Sequence, residues 1–371
     1  MKPFRMLFPL AAFGLILAAC AAPANGDDPY ADPGTAPPPT IEDPTIATTG
    51  TIRASDKGDD LMDISVSGFL GPDGEATDLD EGDFTVVEAG TVKGITVERI
   101  GGEVRAAADI VFVFDTTGSM GSGLTSVQNS IIAFSEFLDT SGLDARVGAV
   151  TFGDAYDTKN DPDDADERGV SLRGDTPPGF DSSPRPTFDL SADFEAFQTF
   201  IEGDSPRGGG DAPENAIGSV EFALDNLAWR DGAQKIMIVV MDICSHTHDT
   251  FESQFSGTDG WERWQPPVTE DLLDRLTGEG VVTHVVGPDS TFCDDTHENM
   301  KVFAGVDGTG GVFFDWDGSE FDLEELPIAT AATGGYIVTF RGTKDGAEKT
   351  VRVVIDDGSD IRGEFSRSAT Y

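Results

Sequence analysis

Hydrophobic and polar positions repeat with different periods in three parts of the chain of 371 residues. Residues 46–102 contain short runs, among them DLMDISVSGFL and TVKGITVERI, that alternate with turn residues and predict a small β domain. Residues 103–334 alternate apolar runs with segments of helical spacing. Residues 335–371 return to the first pattern in YIVTFRG and AEKTVRVVID. The chain therefore predicts one central domain between two β segments.

The central part has the pattern of an α/β protein. DIVFVF, which starts at Asp109, is an unbroken apolar run of the kind found in a strand covered on both faces. Residues 124–138 place apolar side chains on one face at helical spacing, and a further helix is predicted in FDLSADFEAFQTFIEG with Ser191 as its N-cap. KIMIVVM and VVTHVVG are further buried strands. This alternation predicts a doubly wound, mostly parallel sheet.

The two β segments admit two arrangements. The more economical is one β-sandwich made from residues 46–102 and 335–371, with the α/β domain of residues 103–334 inserted in it. Two separate small β domains are the alternative.

The N-terminus has the layout of a secretory signal: Lys2 and Arg5 precede an apolar run that ends in small residues and Cys20. LAAC at residues 17–20 resembles the lipobox of bacterial lipoproteins, which implies removal of residues 1–19 and acylation of Cys20. The protein would then be held to a membrane by lipid in the bacterial cell envelope, with the outer membrane as the expected site. Residues 20–45, rich in Pro, Ala, Gly and Asp, predict a disordered tether. An ordinary cleaved signal is the alternative.

The net charge of the chain indicates which classes of binding partner are expected. The chain carries 24 basic and 68 acidic residues, a net charge of −44. A surface of this sign repels phosphate backbones and attracts divalent cations, so nucleic acid is not an expected partner.

Candidate ligands for a cation follow the first strand of the central domain. Asp115 ends the strand, and Thr117 and Ser119 follow at alternate positions in a loop that contains glycine. In a doubly wound sheet, ligands bind at the carboxyl ends of the strands where the strand order reverses. One carboxylate and two hydroxyls suit an oxygen-preferring cation such as Mg²⁺, Mn²⁺ or Ca²⁺.

The motif of residues 115–119 resembles the Asp-x-Ser/Thr-x-Ser signature of von Willebrand factor type A domains. Those domains hold a divalent cation in a metal-ion-dependent adhesion site, with one coordination position left for an acidic group of a partner. RGGGDAPENA resembles the family's second metal loop, so that Asp211 or Glu214 is implied as a ligand. MIVVMDICSH resembles the strand whose terminal acid, here Asp242, completes the site.

This resemblance implies a binding protein rather than an enzyme. The expected function is a cell-envelope lipoprotein that binds a protein or an anionic glycan through the cation, with Mg²⁺ foremost and Mn²⁺ or Ca²⁺ as alternatives. A scaffold whose metal only stabilises the fold is the second hypothesis. A hydrolase that uses His246 and His248, which lie near Asp249, is the third, but these histidines are expected to be surface or partner-contact residues.

The family's sheet order also bears on the two cysteines that follow the signal. Cys244 and Cys293 come just after strands that are neighbours in that order, which implies a disulfide beside the metal loops. Two buried free thiols are the alternative. The acidic insert at residues 154–167 lacks the spacing and the central glycine of an EF-hand loop and is expected to be a solvated loop, with Ca²⁺ binding as the alternative.

Overall fold

The computed structural model describes the chain in segments, and all structural statements concern these residues. The described ranges are 28–33, 39–41, 44–46, 48–55, 57–67, 79–100, 107–121, 123–141, 143–153, 187–206, 213–255, 265–289, 298–305, 308–316, 323, 335–359 and 361–371. Asp211, Cys293, Cys20 and the acidic insert lie outside them.

Fourteen strands and five α-helices are found among the described residues. The strands are β1 (Thr49–Ala54), β2 (Leu61–Ser67), β3 (Phe84–Glu88), β4 (Thr91–Val92), β5 (Ile95–Arg99), β6 (Ala107–Asp115), β7 (Asp144–Phe152), β8 (Thr187–Ser191), β9 (Gln234–Val240), β10 (Val281–Gly287), β11 (Phe313–Asp315), β12 (Tyr336–Arg341), β13 (Glu348–Asp356) and β14 (Arg362–Thr370). The helices are α1 (Gly123–Ser141), α2 (Phe194–Gly203), α3 (Ala216–Asn226), α4 (His248–Phe255) and α5 (Thr269–Glu279), with short 3-10 turns at Glu81–Asp83 and Met300–Phe303.

A six-stranded sheet forms the centre of the α/β domain, in the order β11-β10-β9-β6-β7-β8. All neighbouring strands are parallel except β8, which runs antiparallel to β7 at the edge. From β6 the chain proceeds to β7 on one side and later returns to β9 on the other. The strand order therefore reverses at β6, which confirms the predicted doubly wound sheet.

Side chains of β6 alternate between two cores. Ile110, Phe112 and Phe114 face the core that contains the apolar stripe of α1. Val111 and Val113 face a second core, formed with α3 and α5. Because both faces are covered, the strand has no polar face, and this explains its continuous apolar sequence.

The two flanking segments form a single sandwich of two antiparallel sheets, β1-β2-β12-β5 and β14-β13-β3-β4. Strands from both ends of the chain lie side by side in each sheet, since β12 pairs with β2 and β5, and β13 pairs with β3. One apolar cluster joins the sheets and includes Ile64, Val86, Val338 and Val353. Of the two arrangements weighed from the sequence, the structure has the inserted one.

Residues 28–33, within the stretch predicted to be a tether, contact this sandwich. The Asp32 carboxylate lies 3.1 Å from Nζ of the buried Lys93, and Asp28 pairs with Arg341. Gly94 leaves the room that this segment fills, because a Cβ there would lie 2.4 Å from the carbonyl oxygen of Ala31. This part of the predicted tether is therefore packed against the sandwich.

Among the described helices, none has both the length and the apolar character needed to cross a bilayer.

Candidate metal centre

Two acidic residues lie at the carboxyl edge of the central sheet. Asp115 is the last residue of β6, and Asp242 follows β9 by two residues. The strands are parallel neighbours, with Phe114 opposite Val240. Both acids therefore lie at the edge where the strand order reverses, the position at which doubly wound sheets bind ligands.

Backbone contacts fix the loop that follows Asp115. The Thr117 amide donates to Asp115 Oδ1 over 2.7 Å. Thr116 donates from both its amide and its hydroxyl to the carbonyl of Phe152, which anchors the loop to the end of β7. Gly121 closes the turn at a φ of +37°, a conformation that residues with a side chain rarely adopt. The loop therefore holds Thr117 and Ser119 in defined positions above the sheet.

The hydroxyls connect this loop to the second carboxylate. Ser119 Oγ donates to Asp242 Oδ1 over 3.3 Å, and the oxygens of Ser119 and Thr117 lie 2.9 Å apart. Because the single Ser119 proton points to Asp242, Thr117 donates to Ser119. The structure thus brings together four of the predicted ligands: Asp115, Thr117, Ser119 and Asp242.

Burial governs the electrostatics of this group. Asp115 and Thr117 are fully or almost fully buried, whereas Ser119 is exposed. Burial raises the pKa of Asp242, and the hydrogen bond from Ser119 opposes this change. Within the described part of the chain, no basic side chain forms an ion pair with Asp242. A carboxylate that is removed from water favours either protonation or a bound cation.

The second predicted loop is described only from residue 213 onward. Glu214 is 2% exposed. Its amide donates to the carbonyl of Cys244 over 3.0 Å, and its carbonyl accepts from the His246 amide over 2.8 Å. Asn215 then caps α3, because its Oδ1 accepts from the Gly218 amide. The Glu214 backbone is therefore joined to the loop that carries Asp242. Asp211 lies outside the described residues, so the choice between the two acids stays open.

A third loop extends this backbone ladder. Ser245 pairs with Glu214 on one side and with Glu298 on the other. The Ser245 amide donates to the Glu298 carbonyl over 2.9 Å, and the Glu298 amide returns the bond over 3.0 Å. Three loops at the edge of the sheet are thus held as a small sheet of their own. The sequence does not predict this ladder, because backbone hydrogen bonds between distant loops do not depend on residue type.

Cys244 lies between Asp242 and Ser245 in the loop that follows β9. It is 2% exposed and disulfide-bonded. Its predicted partner, Cys293, lies outside the described residues, and so does Cys20, the predicted site of acylation. The pairing of Cys244 with Cys293 and the lipid anchor therefore stay predictions.

The described histidines occupy three separate environments. His246 is buried, with its ring edge-on to Phe251 at 5.7 Å between centroids, so it is not the surface residue that was expected. His284 lies inside β10, where burial lowers its pKa to about 3, and its Nδ1 accepts from the Val312 amide. His248 is half-buried at the start of α4. His297 lies outside the described residues.

A group of metal-ligating side chains on α4 was only partly noticed in the sequence. His248, Asp249 and Glu252 each place a ligand atom within 4.8 Å of the other two. His248 and Asp249 were considered for a hydrolase, but Glu252 was not. The available signal was the spacing of four between His248 and Glu252, which puts both on one face of a helix.

Comparison with known proteins gives distant structural likenesses. No protein-family model and no curated protein matches the chain. Proximal thread matrix protein 1 from the mussel byssus is similar at a TM-score of 0.42 and 15% identity, over 67% of this chain and 50% of its own. A second structure of that protein, with a zinc-occupied MIDAS motif, is similar at a TM-score of 0.41 and 16% identity, over 65% and 49%. The conserved hypothetical protein BatB from Bacteroides thetaiotaomicron is similar at a TM-score of 0.34 and 15% identity, over 57% and 91%.

The chain thus spans about half the length of the mussel protein that it matches.

Proposed function

We propose that this chain binds a divalent cation between β6 and β9 and uses it to capture an acidic group of a partner. The proposed ligands are Asp115, Thr117, Ser119 and Asp242, with Asp211 or Glu214 from the second loop. The observation that carries the proposal is the hydrogen bond from Ser119 to Asp242, since it joins the predicted motif to the predicted distant acid.

The donor set fits an oxygen-preferring cation. Asp115 and Asp242 contribute carboxylates, and Thr117 and Ser119 contribute hydroxyls. Mg²⁺ and Mn²⁺ accept such ligands, and a cation would offset the charge of acids that burial otherwise disfavours. We propose Mg²⁺ as the resident cation, with Mn²⁺ or Ca²⁺ as the alternatives. One structure of the mussel protein has zinc in its MIDAS motif, which is a property of that protein. Zn²⁺ is therefore added to the cations to be tested.

The partner is proposed to be a protein or an anionic glycan that offers a carboxylate. A bound cation would also reduce the repulsion between such a group and this acidic chain. We place the protein in the bacterial cell envelope, anchored through acylated Cys20, because the sequence before Cys20 resembles a lipoprotein signal. A binding role rather than an enzymatic one is part of this proposal, because the resemblance of residues 115–119 to the adhesion-site signature implies it.

Cation binding can be tested by thermal unfolding of the purified full-length protein with Mg²⁺, Mn²⁺, Ca²⁺ or Zn²⁺ added. A ligand that binds only the folded state stabilises it by about 2.7 kcal/mol at a hundred-fold excess over Kd. We expect a saturable increase in melting temperature that Asp115→Ala and Asp242→Ala abolish. Asp274→Asn, an exposed acid on α5, is the matched control and should retain the increase. An equal increase in all variants would refute the site.

Capture can be tested with two defined probes, immobilised poly-glutamate and immobilised alginate. We expect retention on one of them in Mg²⁺, elution by EDTA, and no retention of Asp115→Ala or Asp242→Ala. Retention that persists in EDTA would show that the cation is not the contact.

A scaffold function is the second candidate, and the ladder through Glu214, Ser245 and Glu298 favours it. Three loops joined by backbone bonds would be stabilised by a cation whether or not a partner binds. The two functions predict different results. A scaffold is stabilised by the cation but does not bind either probe, whereas a capture site does both.

A further inference from the structure

We propose that α4 carries a second metal site, separate from the one between β6 and β9, that takes a borderline transition ion such as Zn²⁺ or Co²⁺. Its protein ligands are Nε2 of His248 and the carboxylates of Asp249 and Glu252. The proposal does not depend on the function proposed above.

Geometry is the first support. One ring nitrogen of His248 and one carboxylate oxygen each of Asp249 and Glu252 lie within 4.8 Å of one another, close enough for the three side chains to share one ion after small adjustments. The start of the helix is fixed as well, since Thr247 and Thr250 cap it reciprocally. The Thr250 amide donates to Thr247 Oγ1 over 3.2 Å, and the Thr247 amide donates to Thr250 Oγ1 over 3.0 Å. The three side chains therefore project from a defined turn.

The orientation of the imidazole is the second and independent support. His248 Nδ1 lies 2.9 Å from the carbonyl oxygen of Pro266. A carbonyl can only accept, so Nδ1 carries the proton and the neutral ring keeps its lone pair on Nε2. Gln265 Nε2 also donates to the His248 carbonyl over 3.1 Å. Metal-binding histidines almost always donate their other ring nitrogen in this way, which fixes the tautomer and the ring direction.

A comparison with α5 shows that a place in the first turn of a helix does not by itself explain why His248 lies beside Asp249 and Glu252. Glu270 and Asp271 lie in the first turn of α5, as Asp249 does in α4, where acids interact favourably with the helix dipole. No histidine accompanies them. The dipole therefore explains an acid at the start of either helix, but it does not explain an imidazole held with its lone pair available beside two carboxylates.

Ligand chemistry identifies the class of ion. One imidazole nitrogen and two carboxylate oxygens suit Zn²⁺ and related ions, whereas Mg²⁺ and Ca²⁺ prefer oxygen alone. Three protein ligands leave a fourth position to water or to a group from another molecule. The two sites should therefore differ in the ion that they select.

The proposal can be tested by titrating Co²⁺ and Zn²⁺ into the purified full-length protein in the presence of excess Mg²⁺. Visible absorption reports the Co²⁺ ligand field, and calorimetry gives the Zn²⁺ affinity and stoichiometry. We expect a Co²⁺ spectrum of low coordination number that His248→Gln abolishes. Loss of an outer ligand partner costs about 10- to 100-fold in affinity, so loss of the imidazole itself should weaken Zn²⁺ binding about 100-fold or more.

Three further variants locate the ion. Asp249→Asn and Glu252→Gln should each weaken Zn²⁺ binding, while Asp271→Asn on α5 should not. Asp242→Asn should leave the Co²⁺ spectrum intact, because it alters only the first site. Unchanged Zn²⁺ affinity in a folded His248→Gln protein, or a spectrum lost in Asp242→Asn, would overturn the proposal. Melting temperatures measured without metal verify that each variant is folded.

Discussion

Ser119 and Asp242 are 123 positions apart in the chain and are joined by a hydrogen bond of 3.3 Å between Oγ and Oδ1. The bond exists because β6 and β9 are parallel neighbours whose carboxyl ends lie side by side. It makes the geometry of the site depend on the sheet order rather than on one local loop. Substitutions at either end should therefore affect the site without affecting the rest of the fold.

Ser119→Ala removes both a proposed ligand and the bond to Asp242. Hydrogen bonds to charged groups contribute about 1.5 to 3 kcal/mol, so we expect Mg²⁺ affinity to fall about ten-fold or more. The cation-dependent shift in melting temperature measures this change. Ser205→Ala, at an exposed serine after α2, should leave the affinity unchanged. An unaltered affinity in Ser119→Ala would exclude this hydroxyl from the site.

The raised pKa of Asp242 predicts how stability depends on pH. The ordinary value is 3.8, and burial places the value in the folded protein above it. The folded state therefore binds the proton more tightly than the unfolded state. Protonation of Asp242 therefore stabilises the folded state. This stabilisation is complete below pH 3.8 and is lost as the pH rises through the pKa of Asp242 in the folded protein. Urea unfolding in EDTA at a series of pH values should show this loss.

Two comparisons test the assignment to Asp242. Asp242→Asn should lack this part of the pH dependence, since an amide does not titrate. Added Mg²⁺ should stabilise the wild type increasingly as the pH rises, because the cation needs the ionised carboxylate. The same pH profile in wild type and Asp242→Asn would assign the effect to another group.

Asp109→Asn should destabilise the α/β domain strongly. Asp109 is 0% exposed, and its carboxylate accepts from the guanidinium groups of Arg146 and Arg230 at 2.6 to 3.0 Å. Removing one partner of a buried ion pair costs about 3 to 5 kcal/mol, because the remaining charges are left uncompensated. Urea unfolding measures the loss. Asp144→Asn is the control, since that side chain is 65% exposed and its pair with Arg230 should contribute less than about 1 kcal/mol.

Reduction of the Cys244 disulfide should weaken cation binding. Cys244 follows Asp242 by two residues, and its carbonyl accepts the amide of Glu214. Freeing its sulfur should loosen both loops, so we expect a lower melting temperature and a smaller shift with Mg²⁺. If Cys293 is the partner, Cys293→Ser should expose one new reactive thiol in the unfolded protein without reductant. Thiol titration measures it, and no new thiol in that variant would assign Cys244 to a different partner.

The fold was largely predictable because its central strands carry strong local signals. The apolar run of β6, the stripe of α1 and the acids Asp115 and Asp242 each follow from sequence periodicity or from the motif. The sequence predicts Ser191 as the N-cap of the second helix, but Ser191 is the last residue of β8. The cap of α2 is Asp193, whose side chain accepts from the Ala196 amide. Strand β8 alternates Phe188 and Leu190 with polar residues, but at five residues it is too short for this pattern to separate it from the helix that follows.

Helix α4 was missed for a related reason. Its sequence HDTFESQF has only Phe251 and Phe255 as apolar residues, which is too few to predict a helix from an apolar stripe. Its start depends on the reciprocal bonds of Thr247 and Thr250, and threonines are also common in turns. The positions of Glu214 and Ser245 could not be predicted either, because non-local backbone pairing sets them.

The interleaved sandwich has a consequence for the order of events during synthesis. Asp63 in β2 bonds Thr339 in β12, and these residues are 276 positions apart. Strands β1 to β5 leave the ribosome first but lack β12 to β14 until the α/β domain has been made. Such distant pairing is slow, and unpaired strand edges are prone to join other chains. The Ile100 amide donates to the Gly335 carbonyl over 2.8 Å, so the two ends of the inserted α/β domain lie side by side. Early folding of that domain would therefore bring β12 to β14 close to β1 to β5 and reduce the time for which the early strands are unpaired.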